Sequence, residues 1–449
     1  MFNLFKKKIP TTSETPQQEW QRKTLAYAAA VNGFVEVGLR DGWDNAGAEP
    51  DSSGREHLVS DLLKALKRNS RNSPPQSIAE LWPPAHAPLV EPVIQAQGQS
   101  VPVLALLDDG SIIARIGTSY QDGHLVKITP NGIHKIPDIS YFGQGPNKRY
   151  FAIPKTDGIS IIDGWDGPET CFCPYPTGLE DIPEGYDVPK LDGAPSIERM
   201  VPFPDGKRVL IIGDEGIFVL ATDHARRILP TLDSQKDFYD YLIEENPGDP
   251  LSMDLSMAHG HISHDGQMIA VGSQAESHII FDSECKLIAD IGGISEYPHY
   301  AVFSKNDDMI ALNSCHFYNG ATIGVPTNLF GDYSTAMYEL DPNHIELDNQ
   351  ARVYAATSSK DLFITGDAHG YIRGFDRKGK TVFRFHLGSS IGDIDISKDE
   401  KTLVVSTYAG FVALYDLEAT SKAPHQIGVG NVLELRRWVF WKNSEPFLW

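Results

Sequence analysis

Residues 361–376 read DLFITGDAHGYIRGFD, and residues 401–416 read KTLVVSTYAGFVALYD. Each stretch holds two short runs of apolar and β-branched residues, separated by a turn that contains glycine. Such residues favour extended backbone, and glycine permits the tight reversal between the runs. Both stretches therefore predict two antiparallel strands joined by a turn. Because the runs are largely apolar, we expect strands that are buried on both faces.

A reverse-turn signal precedes each of these strand pairs and recurs along the chain. Consecutive turns lie 38, 58, 60, 42, 53 and 39 residues apart. Three spacings are near the ~40 residues of a four-stranded blade, and the other three leave room for insertions. The cadence predicts a mainly β fold, a seven-bladed β-propeller; the alternative is eight blades, the last shared between the two chain ends. The turns are Asp109-Gly110, Pro146-Asn147, Asp205-Gly206, Asp265-Gly266, Asp307-Asp308, Lys360-Asp361 and Asp399-Glu400.

One repeat also resembles a known family. Residues 264–273 read HDGQMIAVGS, and residues 278–282 read HIIFD. This is similar to a WD-repeat blade, in which a Pro-Asp-Gly turn leads into a strand ending in Gly-Ser and a later strand ends in Trp-Asp. The resemblance covers residues 101 to about 430 and implies a propeller with diverged blades, while leaving function open. The aromatic residues that replace the tryptophan are Phe281, Phe375 and Tyr415.

The N-terminal part has a helical composition. We expect residues 1–14 to form a flexible tail and residues 15–85 to form a small helical domain, with a helix break at Asn32-Gly33. The segment NGFVEVGL at 32–39, followed by the leucine-rich stretch 62–68, resembles a HEAT-type repeat. So small a helical unit cannot bury its own apolar face, so it should dock on the propeller or on a partner.

The propeller is predicted to occupy residues 86–449. Its last segment, 432–449, has the pattern of a strand, a turn and the start of another strand. We expect this segment to close the ring by pairing with the chain near residues 88–96, because closure removes exposed strand edges.

The net charge of the chain indicates which classes of partner it can bind. The chain of 449 residues has 60 Asp and Glu against 39 Lys and Arg, a formal net charge of −21, and the excess lies almost wholly in residues 81–449. An acidic body repels phosphate backbones, which argues against nucleic acid as a direct partner. The same charge would attract a basic protein, although it also serves simple solubility.

The sequence predicts a cytoplasmic protein without stable membrane insertion. The basic residues at 6–8 follow a very short apolar stretch, the reverse of a secretory signal, and no later apolar run approaches the ~18 residues of a membrane span. The four cysteines are too scattered for a disulfide framework, and the Cys-x-Cys at 171–173 lacks the second ligand pair of a zinc site.

No catalytic motif stands out. The sequence has no nucleophile elbow, phosphate-binding glycine loop or zinc-protease helix, so we expect neither enzymatic activity nor a cofactor. His259 and His261 are weak metal candidates, because residues two apart on a strand face the same side. No third ligand is evident, and the alternative is that these histidines stabilise their blade.

Three insertions, at 174–195, 233–250 and 317–348, interrupt the repeats. Loops held by rigid blades are where propellers usually meet partners. The second insertion predicts a short acidic helix ending at Asn246-Pro247, in which Phe238 and Tyr241 either contact a partner or anchor the helix to the blades. The candidate partner-binding residues are Phe238, Tyr239, Asp240, Tyr241, Glu244 and Glu245 in the second insertion, Asp181 and Glu184 in the first, and Trp165 in a hairpin turn.

These features predict a non-enzymatic interaction protein of the bacterial cytoplasm that binds another, basic protein. One version is an immunity protein or antitoxin that covers the active cleft of a basic toxin. The alternatives are a scaffold that assembles a multiprotein complex through its helical front end, and an enzyme or small-ligand binder that uses the central channel.

Overall fold

The computed structural model describes residues 14–52, 54–69, 75–85, 98–118, 122–274 and 276–449. The described chain begins with three helices and continues into seven antiparallel sheets arranged as a ring. A fourth helix lies between the third and fourth sheets. The helices are α1 (Pro16–Asp41), α2 (Val59–Asn69), α3 (Pro75–Leu81) and α4 (Leu232–Glu245).

Each sheet is one blade of a seven-bladed propeller, so the predicted fold class is confirmed. Blade 1 contains β1 (Val103–Leu106), β2 (Ile112–Ile116), β3 (His124–Thr129) and β4 (Gly132–Ile136). Blade 2 contains β5 (Gly143–Gln144), β6 (Tyr150–Pro154), β7 (Gly158–Asp163) and β8 (Glu169–Pro174). Blade 3 contains β9 (Arg199–Pro202), β10 (Val209–Gly213), β11 (Gly216–Leu220) and β12 (Ala225–Leu229).

Blades 4, 6 and 7 each contain a fifth strand, whereas blade 5 has four. Blade 4 contains β13 (His259–Ile262), β14 (Met268–Gly272), β15 (His278–Asp282), β16 (Leu287–Ile291) and, parallel to β16, β20 (Tyr333–Thr335). Blade 5 contains β17 (Tyr297–Phe303), β18 (Met309–His316), β19 (Asn319–Pro326) and β21 (Ile345–Asp348). Blade 6 contains β22 (Val353–Ser358), β23 (Leu362–Asp367), β24 (Tyr371–Asp376), β25 (Thr381–His386) and β29 (Gly428–Val429). Blade 7 contains β26 (Ile391–Ile396), β27 (Thr402–Thr407), β28 (Phe411–Asp416), β30 (Leu433–Val439) and β31 (Phe447–Leu448).

The core lies between blades, as the apolar runs predict. For example, Leu210 and Ile212 of blade 3 pack against Ile262 and Val271 of blade 4. All seven predicted turns connect the first and second strands of their blades. They therefore share one side of the ring, which we call the turn face. The loops between second and third strands and the connections between blades lie on the other side, which we call the loop face.

Side chains close the ring between blades 7 and 1. The backbone amide of Leu104 donates to Asp393 Oδ2 at 2.9 Å, and that of Leu106 donates to Asp395 Oδ2 at 2.7 Å. These carboxylates of β26 thus tie down the innermost strand of blade 1. Among the described residues, all strands of the seventh blade come from the C-terminal part of the chain, β26 to β31.

The chain preceding blade 1 also meets the C-terminal segment. Gly98 forms a β-bridge with Trp441, and the amide of Gln99 donates to the Phe440 carbonyl at 3.0 Å. Gly410 permits this crossing, because its φ is 90° and a Cβ atom would lie 2.3 Å from the Phe440 oxygen. The pairing predicted for residues 88–96 lies outside the described residues.

Helix α1 runs without interruption through Asn32-Gly33, so the predicted break is wrong. The Asn32 side chain is engaged in tertiary structure: its Nδ2 donates to the Gln426 carbonyl at 2.9 Å, and its Oδ1 accepts from the Gly428 amide at 2.8 Å. Glycine in a helix costs only about 1 kcal/mol relative to alanine, which such anchoring offsets.

The N-terminal helices pack against blade 7. An indole nitrogen joins the two parts, because Trp449 Nε1 donates to the Trp82 carbonyl at 2.8 Å. Within the helical part, Trp20 Nε1 donates to the Pro83 carbonyl at 3.0 Å. The helices therefore dock on the propeller, one of the two arrangements predicted from the sequence. The shared cluster includes Trp20, Leu58, Leu62, Leu66, Ile78 and Trp82 from the helical part and Phe411, Val439, Trp441, Phe447 and Trp449 from blade 7.

Replacing Trp449 by alanine should lower the free energy of unfolding by about 3–5 kcal/mol, because the change leaves a cavity at this junction and removes a buried hydrogen bond. Trp449 is 2% exposed, whereas Trp43 is 53% exposed. The Trp43→Ala variant should cost less than about 1 kcal/mol. Urea unfolding followed by circular dichroism measures both values, and equal losses would contradict the proposed role of Trp449.

Candidate functional site

The first two insertions lie together on the loop face. The predicted acidic helix is confirmed as α4, which ends with Asn246 as its C-cap. Thr231 caps the other end, where its side chain accepts a hydrogen bond from the Ser234 amide at 3.1 Å. Tyr186 of the first insertion donates to Asp240 Oδ1 at 2.5 Å, so the two insertions form one surface. We call it the α4 surface.

Two buried side chains hold α4 against the propeller. Gln235 Nε2 donates to the carbonyls of Asp181 and Pro230, each at 3.1 Å. Tyr239, one turn further along, is 0% exposed and has its ring 5.4 Å from that of Tyr186. The predicted contact residue Tyr239 therefore anchors the helix and presents no side-chain surface to a partner.

Two predicted carboxylates are engaged within the chain. Asp181 Oδ2 accepts a hydrogen bond from the Arg227 amide at 2.9 Å, and its Oδ1 lies 3.4 Å from Arg226. Asp240 forms an ion pair with Lys236 at 2.7 Å. The Lys236 and Tyr186 hydrogen bonds lower the pKa of Asp240. Both carboxylates support the α4 surface from within.

The remaining α4 candidates are accessible. Tyr241 is 55% exposed, Phe238 is half-buried with its ring 6.5 Å from Tyr241, and Glu244 and Glu245 are exposed. Ile243, which the sequence analysis did not single out, is 51% exposed. Its place near the C-terminal end of a predicted acidic helix could have suggested it. Apolar and acidic side chains thus meet at the C-terminal end of α4.

Glu184 and Trp165 lie in different settings. Glu184 is exposed in the first insertion, close in sequence to Tyr186. Trp165 lies in the turn between β7 and β8, at the turn face, where its ring packs edge-to-face on Phe142 at 5.3 Å and Phe151 at 5.4 Å. The structure therefore separates Trp165 from the other candidates and gives it a packing role between blades 1 and 2.

A channel passes through the centre of the ring and widens into a cavity on each side. The turn-face cavity has a volume of about 130 Å³, and the loop-face cavity has a volume of about 340 Å³. The innermost strands contribute the lining. Tyr141, Arg199 and Tyr300 line both cavities and mark the waist between them.

The turn-face cavity contains the carboxylates that close the ring. Burial raises the pKa of Asp393 to about 6, against the opposing effect of Arg199 and of hydrogen bonds from the Leu104 and Ile394 amides. Lys148 forms an ion pair with Asp395, and both side chains are largely buried. Sequence reasoning missed this pair of carboxylates, although acidic residues two apart in the apolar run 391–396 were a usable signal.

The loop-face cavity has aromatic walls. The rings of Tyr354 and Tyr408 lie 5.9 Å apart, and the ring of His299 lies 5.5 Å from that of Tyr354. The Arg352 guanidinium lies over the Tyr354 ring at 5.0 Å. Burial raises the pKa of Tyr408 to about 12, so its hydroxyl stays protonated at neutral pH.

The two metal candidates are separated along the channel. His261 lines the turn-face cavity, and His259 lines the loop-face cavity, where its ring lies 5.3 Å from that of His278. Burial lowers the pKa of His261 to about 3 and that of His259 well below its ordinary value. Within the described residues, no group of three or more His, Cys, Asp or Glu side chains is placed to hold a metal ion.

No family model matches the sequence, and no curated protein matches it. Among solved structures, the chain is similar to "KlHsv2 with loop 6CD replaced by a Gly-Ser linker", with 8% identity and a TM-score of 0.43. That alignment covers 76% of this chain and 98% of the other.

Among the described helices, none combines the length and the apolar character required to cross a membrane.

The buried Asp393 should leave a signature in the pH dependence of stability. Its folded-state pKa of about 6 exceeds the ordinary value of 3.8, so the folded state binds the proton more tightly. The stability contributed by protonated Asp393 is therefore lost as the pH rises between these two values. The unfolding free energy of the wild type minus that of the Asp393→Asn variant should fall from pH 4 to pH 6 and level off above about pH 7. Urea unfolding at each pH tests this, and a difference that does not vary with pH would contradict it.

Proposed function

We propose that this chain is a non-catalytic protein-binding module that recognises a basic protein through the α4 surface. The observation that carries the proposal is the pairing of exposed apolar side chains, Tyr241 and Ile243, with exposed Glu244 and Glu245 on a firmly anchored helix. An exposed aromatic side chain that needs no reordering is a typical anchor of protein interfaces. Surrounding carboxylates accelerate encounter with a basic partner.

Electrostatics within α4 support this choice of partner. The helix contains five acidic residues and one lysine, and its last turn has no basic residue. Glu244 and Glu245 therefore face the negative end of the helix dipole, where each unfavourable charge typically costs about 0.3–1 kcal/mol. A lysine or arginine side chain from a partner would neutralise these charges in the complex.

A more specific form of the proposal is an immunity or antitoxin-type role. A basic toxin, such as a nuclease, would be blocked when the α4 surface covers its active cleft. The acidic surplus of the chain, 60 Asp and Glu against 39 Lys and Arg, supports this form. In this role the chain inhibits by occupying a surface and contributes no reacting group.

The test is affinity capture with the full chain from an extract of its native cells. We compare the wild type with a variant carrying Tyr241→Ala, Glu244→Gln and Glu245→Gln. The wild type should retain a basic protein and release it as the salt concentration rises, because exposed charge pairs are screened. The variant should bind that protein at least about 10-fold more weakly, which corresponds to the loss of one interface anchor.

A matched control carries the same kinds of change on the opposite face. Leu287 and Glu284 are exposed beside the turn between β15 and β16, so Leu287→Ala with Glu284→Gln removes an apolar and an acidic group from the turn face. This control should bind the partner as the wild type does. Equal loss in both variants, or capture that is indifferent to the α4 changes, would refute the proposed surface.

A further inference from the structure

We propose that the loop-face cavity binds a small organic anion, a carboxylate or phosphate group attached to a planar or aromatic body. This site is separate from the α4 surface and does not depend on the function proposed above. It lies at the channel mouth, where inner strands of several blades converge. Its volume of about 340 Å³ falls at the lower end of the ~300–1,000 Å³ of small-molecule pockets.

Two guanidinium groups supply the positive charge. Arg199 Nη1 donates to the Tyr300 hydroxyl at 2.8 Å, and Arg352 Nε donates to His299 Nε2 at 3.0 Å. Neither arginine forms an ion pair with a carboxylate in the part of the chain that the structure describes. Asp393 acts on Arg199 only through space, from the turn-face cavity.

The absence of ion pairs at these two arginines is notable in a chain with a net charge of −21. By contrast, the guanidinium of Arg373 pairs with Asp348 at 2.8 Å and with Asp367 at 3.0 Å. Guanidinium groups bind carboxylate and phosphate through paired, charge-assisted hydrogen bonds. The loop-face cavity therefore offers this type of binding to an anion that enters from solvent.

A buried histidine supplies a further polar group. His259 lines the cavity and is 7% exposed. Neither of its ring nitrogens has a partner with good hydrogen-bond geometry within the described residues, and only the Met257 backbone acts on it as an acceptor. An unpaired buried polar group costs roughly 1–3 kcal/mol, so a ligand that satisfies it gains affinity. A neutral imidazole carries one N–H group, which can donate to an anionic oxygen.

The aromatic side chains in the walls of the loop-face cavity indicate the shape of the uncharged part of the ligand. Tyr300, Tyr354 and Tyr408 line the cavity, and stacking on such rings favours a planar body. His299 is fixed between two partners, because its Nδ1 lies 2.6 Å from the Val353 carbonyl and its Nε2 accepts from Arg352. The hydrogen bond to His299 thereby holds the Arg352 guanidinium near the Tyr354 ring, with its centre 5.0 Å from the ring centroid.

One acidic residue restricts the charge of the ligand. Glu198 also lines the loop-face cavity, and it raises the pKa of Tyr408 together with burial and the neighbouring groups. Its carboxylate adds negative charge to a cavity whose positive charge comes from two arginines. A ligand with one anionic group therefore suits the cavity better than a polyanion.

The test is isothermal titration of the full chain with phenyl phosphate and with benzoate. Inorganic phosphate tests the anion without the aromatic body, and benzyl alcohol tests the body without the anion. At least one aromatic anion should bind with a measurable affinity and at least about 10-fold more tightly than both of these fragments, since hydrogen bonds to charged groups each contribute roughly 1.5–3 kcal/mol.

Two substitutions locate the binding. Arg352→Met retains the apolar stem and removes the charge, and it should weaken binding at least about 10-fold. Arg436→Met is the matched control, because Arg436 lies over the Trp438 ring at 5.5 Å on an outer strand of blade 7. This control should bind as the wild type does. If Arg352→Met does not fold, His259→Phe provides a second variant that removes the donor from the cavity and should also weaken binding.

Three results would overturn the proposal. The first is that neither phenyl phosphate nor benzoate binds the wild type. The second is that inorganic phosphate binds as tightly as phenyl phosphate, which indicates an adventitious anion contact. The third is that Arg436→Met weakens binding as much as the variants of the cavity do.

Discussion

Closure of the ring is the constraint on which the rest of this structure depends, because each blade buries its faces only when it has a neighbour on both sides. Blades 7 and 1 come from opposite ends of the propeller, and the strands that the structure describes are not shared between them. Their contact relies on Asp393 and Asp395, whose carboxylates accept hydrogen bonds from the backbone of β1. Lys148 balances the buried charge of Asp395.

The outer side of this junction is covered by the N-terminal helices. A cluster of tryptophan and leucine side chains joins these helices to blade 7, and Trp449 hydrogen-bonds across the boundary. Both ends of the described chain therefore meet at the last blade. The first two insertions lie on the loop face beside blade 3, away from this junction.

Acidic and basic side chains are concentrated in different regions of the molecule. The α4 surface is acidic and carries exposed apolar groups, whereas the loop-face cavity contains Arg199 and Arg352 without carboxylate partners in the described residues. A low-dielectric channel makes each unpaired charge more influential than a charge at the surface. The two regions therefore correspond to the two proposed ligands, a basic protein at the α4 surface and a small anion in the loop-face cavity.

The sequence was most informative about the repeats. Each of the seven predicted turns joins the first two strands of a blade, since turn chemistry and apolar runs are local properties. The acidic helix in the second insertion was also predictable, because its composition and its Asn246-Pro247 end are local signals. The break at Asn32-Gly33 was not, since the Asn32 side chain meets residues almost 400 positions away.

Whether each predicted contact residue is exposed depends on its position in the tertiary structure. Phe238, Tyr239 and Tyr241 are neighbouring aromatic residues of one helix, and the sequence gives no reason to separate them. In the structure Tyr239, on the side of α4 that packs against blade 3, is fully buried, whereas Tyr241 is exposed. Likewise, the Trp165 ring packs on Phe142, and the Asp181 carboxylate accepts a hydrogen bond from the Arg227 amide. Arg199 and Arg352 gave no sequence signal, because they lie 153 positions apart and face each other only in the closed ring. The sequence by itself determined the propeller class, the positions of the seven turns and the location of the insertions, through short-range turn and strand preferences, and it left the choice between seven and eight blades open. Only the tertiary structure decided which side chains are exposed and which meet in the channel, because those outcomes depend on contacts between residues far apart in the chain.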